Sequence, residues 1–132
     1  KGDGDLRKDF PGGWTGDATD SFTPEGRKGL QKEAFDFTRK LLNWRKGNDV
    51  LGKGSLKHYS IQSGTYVYER KYDGRSVVVM MNGTGQAQTL NLTPYREILP
   101  QAEAKDFLSG RTVTLGETLE LQPREILLLE FN

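Results

Sequence analysis

Hydrophobic positions recur with two different periods, and the change between them divides the chain. From Lys28 to Lys46, Leu30, Ala34, Phe37, Leu41 and Trp44 fall at i, i+4, i+7, i+11 and i+14, and Phe35 and Leu42 widen the stripe. That spacing lays them along one face of an α-helix. Thr23-Pro24-Glu25-Gly26 supplies start signals ahead of it. Lys46-Gly47-Asn48 supplies a basic last turn and then a residue able to take positive φ. Past Gly54 the helical period is gone. Short β-type runs replace it at 55–61, 65–72, 75–82, 87–92, 105–109, 112–115, 118–122 and 125–131, separated by turn residues. That density predicts a sandwich or a barrel.

Within the β half, Asp73-Gly74 predicts a type I′ hairpin, because both central positions of that turn need residues that tolerate positive φ. Val77-Val78-Val79-Met80-Met81 is apolar at every position, and Ile126-Leu127-Leu128-Leu129 repeats the pattern. Both strands are therefore expected at the centre of a sheet, buried on two faces. A two-layer sandwich standing alone leaves one face of each sheet in water, so the outer face needs a cover, either the preceding helix or a neighbouring domain. Ahead of the helix, residues 1–27 carry Gly at 2, 4, 12, 13, 16 and 26 and Pro at 11 and 24 with no sustained period, which is loop composition. Phe10, Trp14 and Phe22 favour an ordered loop over a linker.

Charge and composition narrow the classes. The chain has 132 residues, the size of one domain with attached pieces. Its 19 Lys+Arg nearly balance 18 Asp+Glu and are spread along the chain, so nothing favours a nucleic-acid partner. The absence of cysteine excludes a disulfide framework, a thiolate zinc site and a cysteine nucleophile. No stretch approaches the ~20 apolar residues of a membrane helix, and no membrane partner is expected.

Several residues invite a chemical reading. Asp3, Asp5 and Asp9 suggest a calcium loop, but that template needs an oxygen ligand at Arg7 and glycine at Lys8, so no metal or other cofactor is expected. Glycosidase acid and base pairs need two carboxylates at a fixed separation on rigid elements, which a loop does not provide. The one histidine, His58, has no Ser or Asp spacing of a nucleophile motif and reads as structural. Tyr66, Tyr68 and Tyr72 alternate onto one strand face, where they either stack on sugar rings or pack a core. Asn82-Gly83-Thr84 and Asn91-Leu92-Thr93 match the glycosylation acceptor pattern. The glycines at 83 and 85 lack the Lys and following helix of a phosphate loop, and a turn explains them.

The leader Gly2-Asp3-Gly4-Asp5-Leu6-Arg7-Lys8-Asp9-Phe10-Pro11-Gly12-Gly13-Trp14, with Glu33-Ala34-Phe35 and Leu41-Leu42-Asn43-Trp44-Arg45-Lys46, resembles the cyclomaltodextrinase and neopullulanase group of glycoside hydrolase family 13, the alpha-amylase family. The resemblance implies that residues 1–53 are the last loop and last helix of a truncated (β/α)8 barrel and residues 54–132 a C-terminal antiparallel β-sandwich. A whole barrel needs about 250 residues. The family's nucleophile Asp, acid/base Glu and third Asp are expected on segments preceding Lys1, so this chain alone is expected to be inactive. The resemblance further implies that Asp3 and Arg7, four residues apart, hold a glucose unit on the non-reducing side of the cut. Carboxylate and guanidinium would divide the sugar hydroxyls between acceptor and donors and act by positioning. Phe10 and Trp14 would shape the loop wall. Gly4 stands where many relatives have Pro, and Asp5 offers a second registration.

Three functions remain open at this stage. The chain is part of an enzyme cleaving α-1,4 bonds in cyclodextrins, pullulan or starch fragments; or an autonomous glucan-binding module acting through Tyr59, Tyr66, Tyr68 or Tyr72; or a structural brace for a catalytic barrel. The resemblance implies a periplasmic or secreted bacterial protein. The stripe Leu30, Phe37, Leu41 and Trp44 is expected to face the barrel, and in the isolated chain to drive self-association or to refold onto the sandwich.

Overall fold

The computed structural model describes residues 2–7 and 9–132; Lys8 of the leader lies outside them. Two compact units form, one ending at Trp44 and the other spanning Arg45–Asn132. The first begins with a single helical turn, α1 (Asp3–Leu6), continues as a long loop, and enters α2 (Gly29–Lys46), which occupies the stretch the apolar stripe marks. None of the α2 side chains is fully buried. Leu30 stays 82% exposed, Phe37 and Leu42 are exposed, and Leu41 and Trp44 are half-buried.

The end of α2 departs from the expected left-handed cap. Gly47 does not take positive φ. The chain passes at once into a second helix, α3 (Asp49–Lys53), and Asn48 is its N-cap, extended at φ −116° with its side-chain oxygen accepting from the Val50 N–H at 3.1 Å. A residue serving as N-cap must be extended, and this leaves no room for a Schellman-type ending.

Eight antiparallel strands follow: β1 (Ser55–His58), β2 (Thr65–Tyr72), β3 (Arg75–Asn82), β4 (Gln88–Asn91), β5 (Glu103–Asp106), β6 (Thr112–Thr114), β7 (Thr118–Leu121) and β8 (Ile126–Phe131). Six make one sheet in the order β1-β2-β3-β8-β5-β6, and β4 pairs with β7 in a two-stranded ribbon. The Asp73-Gly74 hairpin forms as expected, with φ of 48° and 75° and Tyr72 opposite Arg75. β5 ends earlier than the sequence run, because Asp106 opens a turn that closes with Gly110 N–H donating to Asp106 O at 2.8 Å and Gly110 at φ 73°.

The core lies between the sheet and the ribbon. Val67, Val78, Met80, Leu127, Leu129 and Phe131 from the sheet meet Leu90 and Leu121 from the ribbon, and Tyr95 and Ile98 of a 3-10 helix (Thr93–Ile98) complete the same cluster. This is a β-sandwich, as the strand density suggested. Val77, Val79 and Leu128 point to the other face and are also buried. Their cover includes α3, which lies against β2 and β3 and buries Val50 and Leu51, each contributing about 1.5–3 kcal/mol when fully removed from water.

Two buried polar side chains fasten the turns. The Asn82 amide donates to the carbonyls of Gln86, Leu121 and Gln122, and its oxygen accepts from the N–H and hydroxyl of Thr84. At 2% exposure with its amide fully engaged, Asn82 is not a glycosylation acceptor in the folded chain. Asp106 plays the same part between β5 and β8, where its Oδ1 accepts from the Leu128 N–H and its Oδ2 from Ser109.

Candidate functional site

In the leader, the four-residue spacing of Asp3 and Arg7 is one helical turn, so α1 brings the two side chains to the same side. Asp3 Oδ1 lies 3.3 Å from Arg7 Nε, and both side chains remain largely in water. Exposed pairs of this kind contribute about 0–1 kcal/mol to stability, so the pair is not there to hold the fold. It presents a carboxylate and a guanidinium side by side, an acceptor and a fork of donors that suit vicinal hydroxyls.

The loop behind it is ordered by close contacts. Phe10 meets Phe22 edge to face at 4.9 Å, and the Ser21 N–H donates to Pro11 O at 2.9 Å. A Cβ on Gly26 would sit 1.7 Å from the Asp20 carbonyl oxygen, so only glycine permits this approach. The principal anchor is Arg27, which no motif singled out. Its Nη1 donates to the carbonyls of Ser21 and Phe22, and its guanidinium lies 3.9 Å from the centre of the Phe35 ring on α2. Arg27 is buried, and a buried arginine needs carbonyl acceptors and an aromatic face. The only sequence signals for it are the adjacent Gly26 and a Phe at the right distance along α2.

Phe10, Pro11, Ser21, Arg27, Gln31 and Phe35 enclose a cavity of about 160 Å³. A second cleft of about 500 Å³ is lined by Thr19, Asp20, Thr23, Glu25, Lys28 and Gln31, among others. Phe10 therefore lines the smaller of the two cavities. Trp14 is not packed into that wall: it is 83% exposed, at the tip of a turn closed by its N–H donating to Asp17 Oδ2 at 2.9 Å. Among the described residues, no hydrogen bond, ion pair or ring contact joins the Asp3–Arg7 pair to Phe10 or Trp14.

On the sandwich, Tyr66, Tyr68 and Tyr72 alternate onto the outer face of β2, with Tyr66 and Tyr68 half-buried and Tyr72 exposed. The Tyr66 and Tyr68 rings are 5.6 Å apart and tilted by 39°. His58 lies on edge strand β1 with its ring edge-on to Tyr66 at 6.3 Å. Tyr59 belongs elsewhere. It packs on Tyr95 at 4.9 Å and its hydroxyl donates to Glu97 Oε1 at 2.6 Å, while Lys57 Nζ pairs with Glu97 Oε2 at 2.5 Å. Burial, then the hydrogen bond to Glu97, pushes the Tyr59 hydroxyl well above its usual pKa, so it stays a donor. The hydrogen bonds from Lys57 and Tyr59 hold Glu97 below the usual carboxylate range. This trio ties β1 to the 3-10 helix.

Residues 56–130, more than half of the chain, match the family described as the cyclo-malto-dextrinase C-terminal domain. The chain belongs to that family. A cyclomaltodextrin glucanotransferase from Bacillus sp. (strain 6.6.3) is 35% identical over 77 residues, which is 58% of this chain and 11% of that protein. A cyclomaltodextrinase from Thermoanaerobacter pseudethanolicus (strain ATCC 33223 / 39E) is 26% identical over 102 residues, 75% of this chain and 16% of that protein. Among solved structures, AmyP in complex with maltose matches 77% of this chain with 21% of its own, at a TM-score of 0.65 and 17% identity. The trehalulose synthase MutB from Pseudomonas mesoacidophila MX-45 matches 73% with 17% of its own, at 0.58 and 20% identity.

The chain thus spans only 11% and 16% of the lengths of those two sequence relatives. The cyclomaltodextrinase C-terminal domain is the C-terminal β domain of an alpha-amylase family glycoside hydrolase, which is the family the leader resembled. Among the described residues no cluster of three His, Cys, Asp or Glu is arranged to hold a metal ion.

Proposed function

We propose that this chain is the C-terminal region of an α-glucan-hydrolysing enzyme of the neopullulanase and cyclomaltodextrinase type, in which residues 1–53 complete the barrel, α3 at their end also covering the sheet, and 54–132 form a bracing sandwich. The catalytic acids belong to the parent's barrel, and the leader lines a sugar subsite. The observation that carries the subsite is the exposed Asp3–Arg7 pair at 3.3 Å, whose charges face solvent and whose spacing matches the family's late-loop pair. Asp3 accepts from one sugar hydroxyl and Arg7 donates to its neighbour, fixing a glucose unit without touching the bond that breaks. Phe10 supports the loop through Phe22, and exposed Trp14 offers a ring face to a sugar.

The brace reading is favoured over an autonomous glucan-binding module by the tyrosines. A stacking platform needs accessible, roughly coplanar rings. Tyr66 and Tyr68 are half-buried and tilted, and Tyr59 is engaged with Tyr95 and Glu97. The exposed part of the α2 stripe, Leu30 and Phe37 continued by half-buried Leu41 and Trp44, supports self-association of the isolated chain. Light scattering checks this, and a strict monomer at high concentration refutes it.

The test of the subsite is Asp3→Asn and Arg7→Gln in the parent enzyme. Each is expected to raise KM for maltooligosaccharides or lower kcat/KM about tenfold while leaving the fold intact, since neither side chain supports the core. Unchanged kinetics in both variants would remove Asp3 and Arg7 from the site.

A further inference from the structure

The outer face of the sandwich carries a second feature that the brace reading leaves unused. Arg45, Leu51, Leu56, Tyr66, Tyr68 and Arg70 line a cleft of about 310 Å³ within the β unit. Arg45 Nη1 and Arg70 Nη2 both donate to one oxygen, the Leu51 carbonyl, at 3.4 and 3.2 Å. Two guanidinium groups therefore converge on a single neutral acceptor. Among the described residues no ion pair joins either of them to a carboxylate. Arg70 is further constrained, because its Nε–H is buried without an acceptor. A carbonyl takes up donors but neutralises no charge, so the two cations are held near one another with only water to screen them, Arg45 being exposed and Arg70 half-buried.

We propose that this cleft receives the carboxylate of an Asp or Glu carried on a neighbouring polypeptide segment with aliphatic residues beside it. Each guanidinium has N–H groups beyond the one given to Leu51 O, and such groups suit a planar carboxylate, which guanidinium binds with paired hydrogen bonds. Tyr68, whose hydroxyl is protonated at neutral pH, also lines the cleft. Leu56, 56% exposed at the cleft, gives the aliphatic flank a surface to cover. The volume exceeds what a single small ion fills. A neutral sugar would leave both charges uncompensated, and the 39° tilt of Tyr66 against Tyr68 denies it a common stacking plane. The inference rests on the brace reading only for the source of the segment, a domain packed against the sandwich.

The test titrates the full chain with two capped tripeptides, Leu-Glu-Leu and Leu-Gln-Leu, and follows the side-chain Nε–H NMR signals of Arg45 and Arg70 and the ring signals of Tyr68. The Glu peptide is expected to shift these signals saturably, and the Gln peptide to bind at least about tenfold more weakly. Added salt is expected to weaken the Glu peptide selectively. Arg45→Gln keeps an amide donor for Leu51 O, and is expected to leave the spectrum folded while weakening the Glu peptide about tenfold. Arg70→Lys is the second variant; if it disturbs the fold, Arg45→Gln alone decides. Equal binding of both peptides, absence of shifts at Arg45 and Arg70, or an equal response to acetate or maltotriose would overturn the proposal. Failure of the brace reading has a different signature: removal of 56–130 from the parent would leave its thermal stability unchanged whatever the tripeptides do.

Discussion

Replacing Asp106 with alanine is expected to destabilise the β unit by about 3–5 kcal/mol, with the carboxylate's hydrogen bonds setting the size. Asp106 is 1% exposed. Its Oδ1 accepts from the Leu128 N–H at 2.8 Å in the interior, and its Oδ2 from the Ser109 N–H at 2.9 Å and hydroxyl at 2.6 Å. Hydrogen bonds to an ionised group contribute about 1.5–3 kcal/mol each, and a buried donor left without a partner costs about 1–3 kcal/mol. The Ser109 groups are only partly buried and recover water, so the Leu128 N–H dominates the loss. Asparagine at 106 keeps the shape but turns an NH2 toward one of the two donor sets, and about half the alanine effect is expected. The assay is urea unfolding followed by far-UV circular dichroism, with the midpoint falling at unchanged slope. Burial pushes the Asp106 pKa up, but the hydrogen bonds from Ser109 and from the Leu128, Ser109 and Leu108 backbone outweigh it and hold the carboxyl below its ordinary range. A depressed carboxyl adds stability that is complete above the unfolded pKa and is lost as pH falls below about 4 toward the folded pKa. Asp106→Asn should remove that part of the acid sensitivity. A cost under about 1 kcal/mol for alanine would refute the account of this turn.

Two further outcomes are expected. Asn82→Ala strands the carbonyls of Gln86, Leu121 and Gln122 and should cost about 2–4 kcal/mol, read by the same unfolding assay. Gly26→Ala places a Cβ 1.7 Å from the Asp20 carbonyl oxygen, so the loop must shift and release Arg27; limited proteolysis should then cut within residues 9–28 faster than in the parent sequence, while the β unit keeps its midpoint.

The β half was legible because its signals are local. Alternation and turn residues marked the strands, although the run 105–109 meets β5 only at Lys105 and Asp106, and Asp73-Gly74 named its own hairpin. The uninterrupted apolar runs of β3 and β8 correctly demanded burial on both faces. The cover was less legible. α3 has only five residues, too few to show a helical period, and its two apolar side chains are adjacent in sequence. The 3-10 helix was missed for the same reason, although Pro94 at its first turn was a usable start signal. Pairing of β4 with β7, 33 residues apart in the chain at the Gln88–Leu121 pair, is a tertiary outcome that no local pattern encodes. Asp3 and Arg7 lie side by side because one helical turn aligns residues four apart. Arg27 and the Arg45–Arg70 pair were invisible, since an arginine's role depends on which carbonyls and rings the fold brings to it.

We propose that this chain braces and positions but neither cleaves glucan nor binds it through the sandwich. The most direct measurement is a titration of the pure chain with β-cyclodextrin and maltotriose, followed by NMR at the Tyr59, Tyr66, Tyr68 and Tyr72 rings, with turnover of cyclodextrin and pullulan assayed on the same sample. The expected result is no turnover and no saturable shift at the tyrosines. Hydrolysis by the chain, or saturable tyrosine shifts abolished by Tyr66→Ala or Tyr68→Ala in a folded variant, would contradict it.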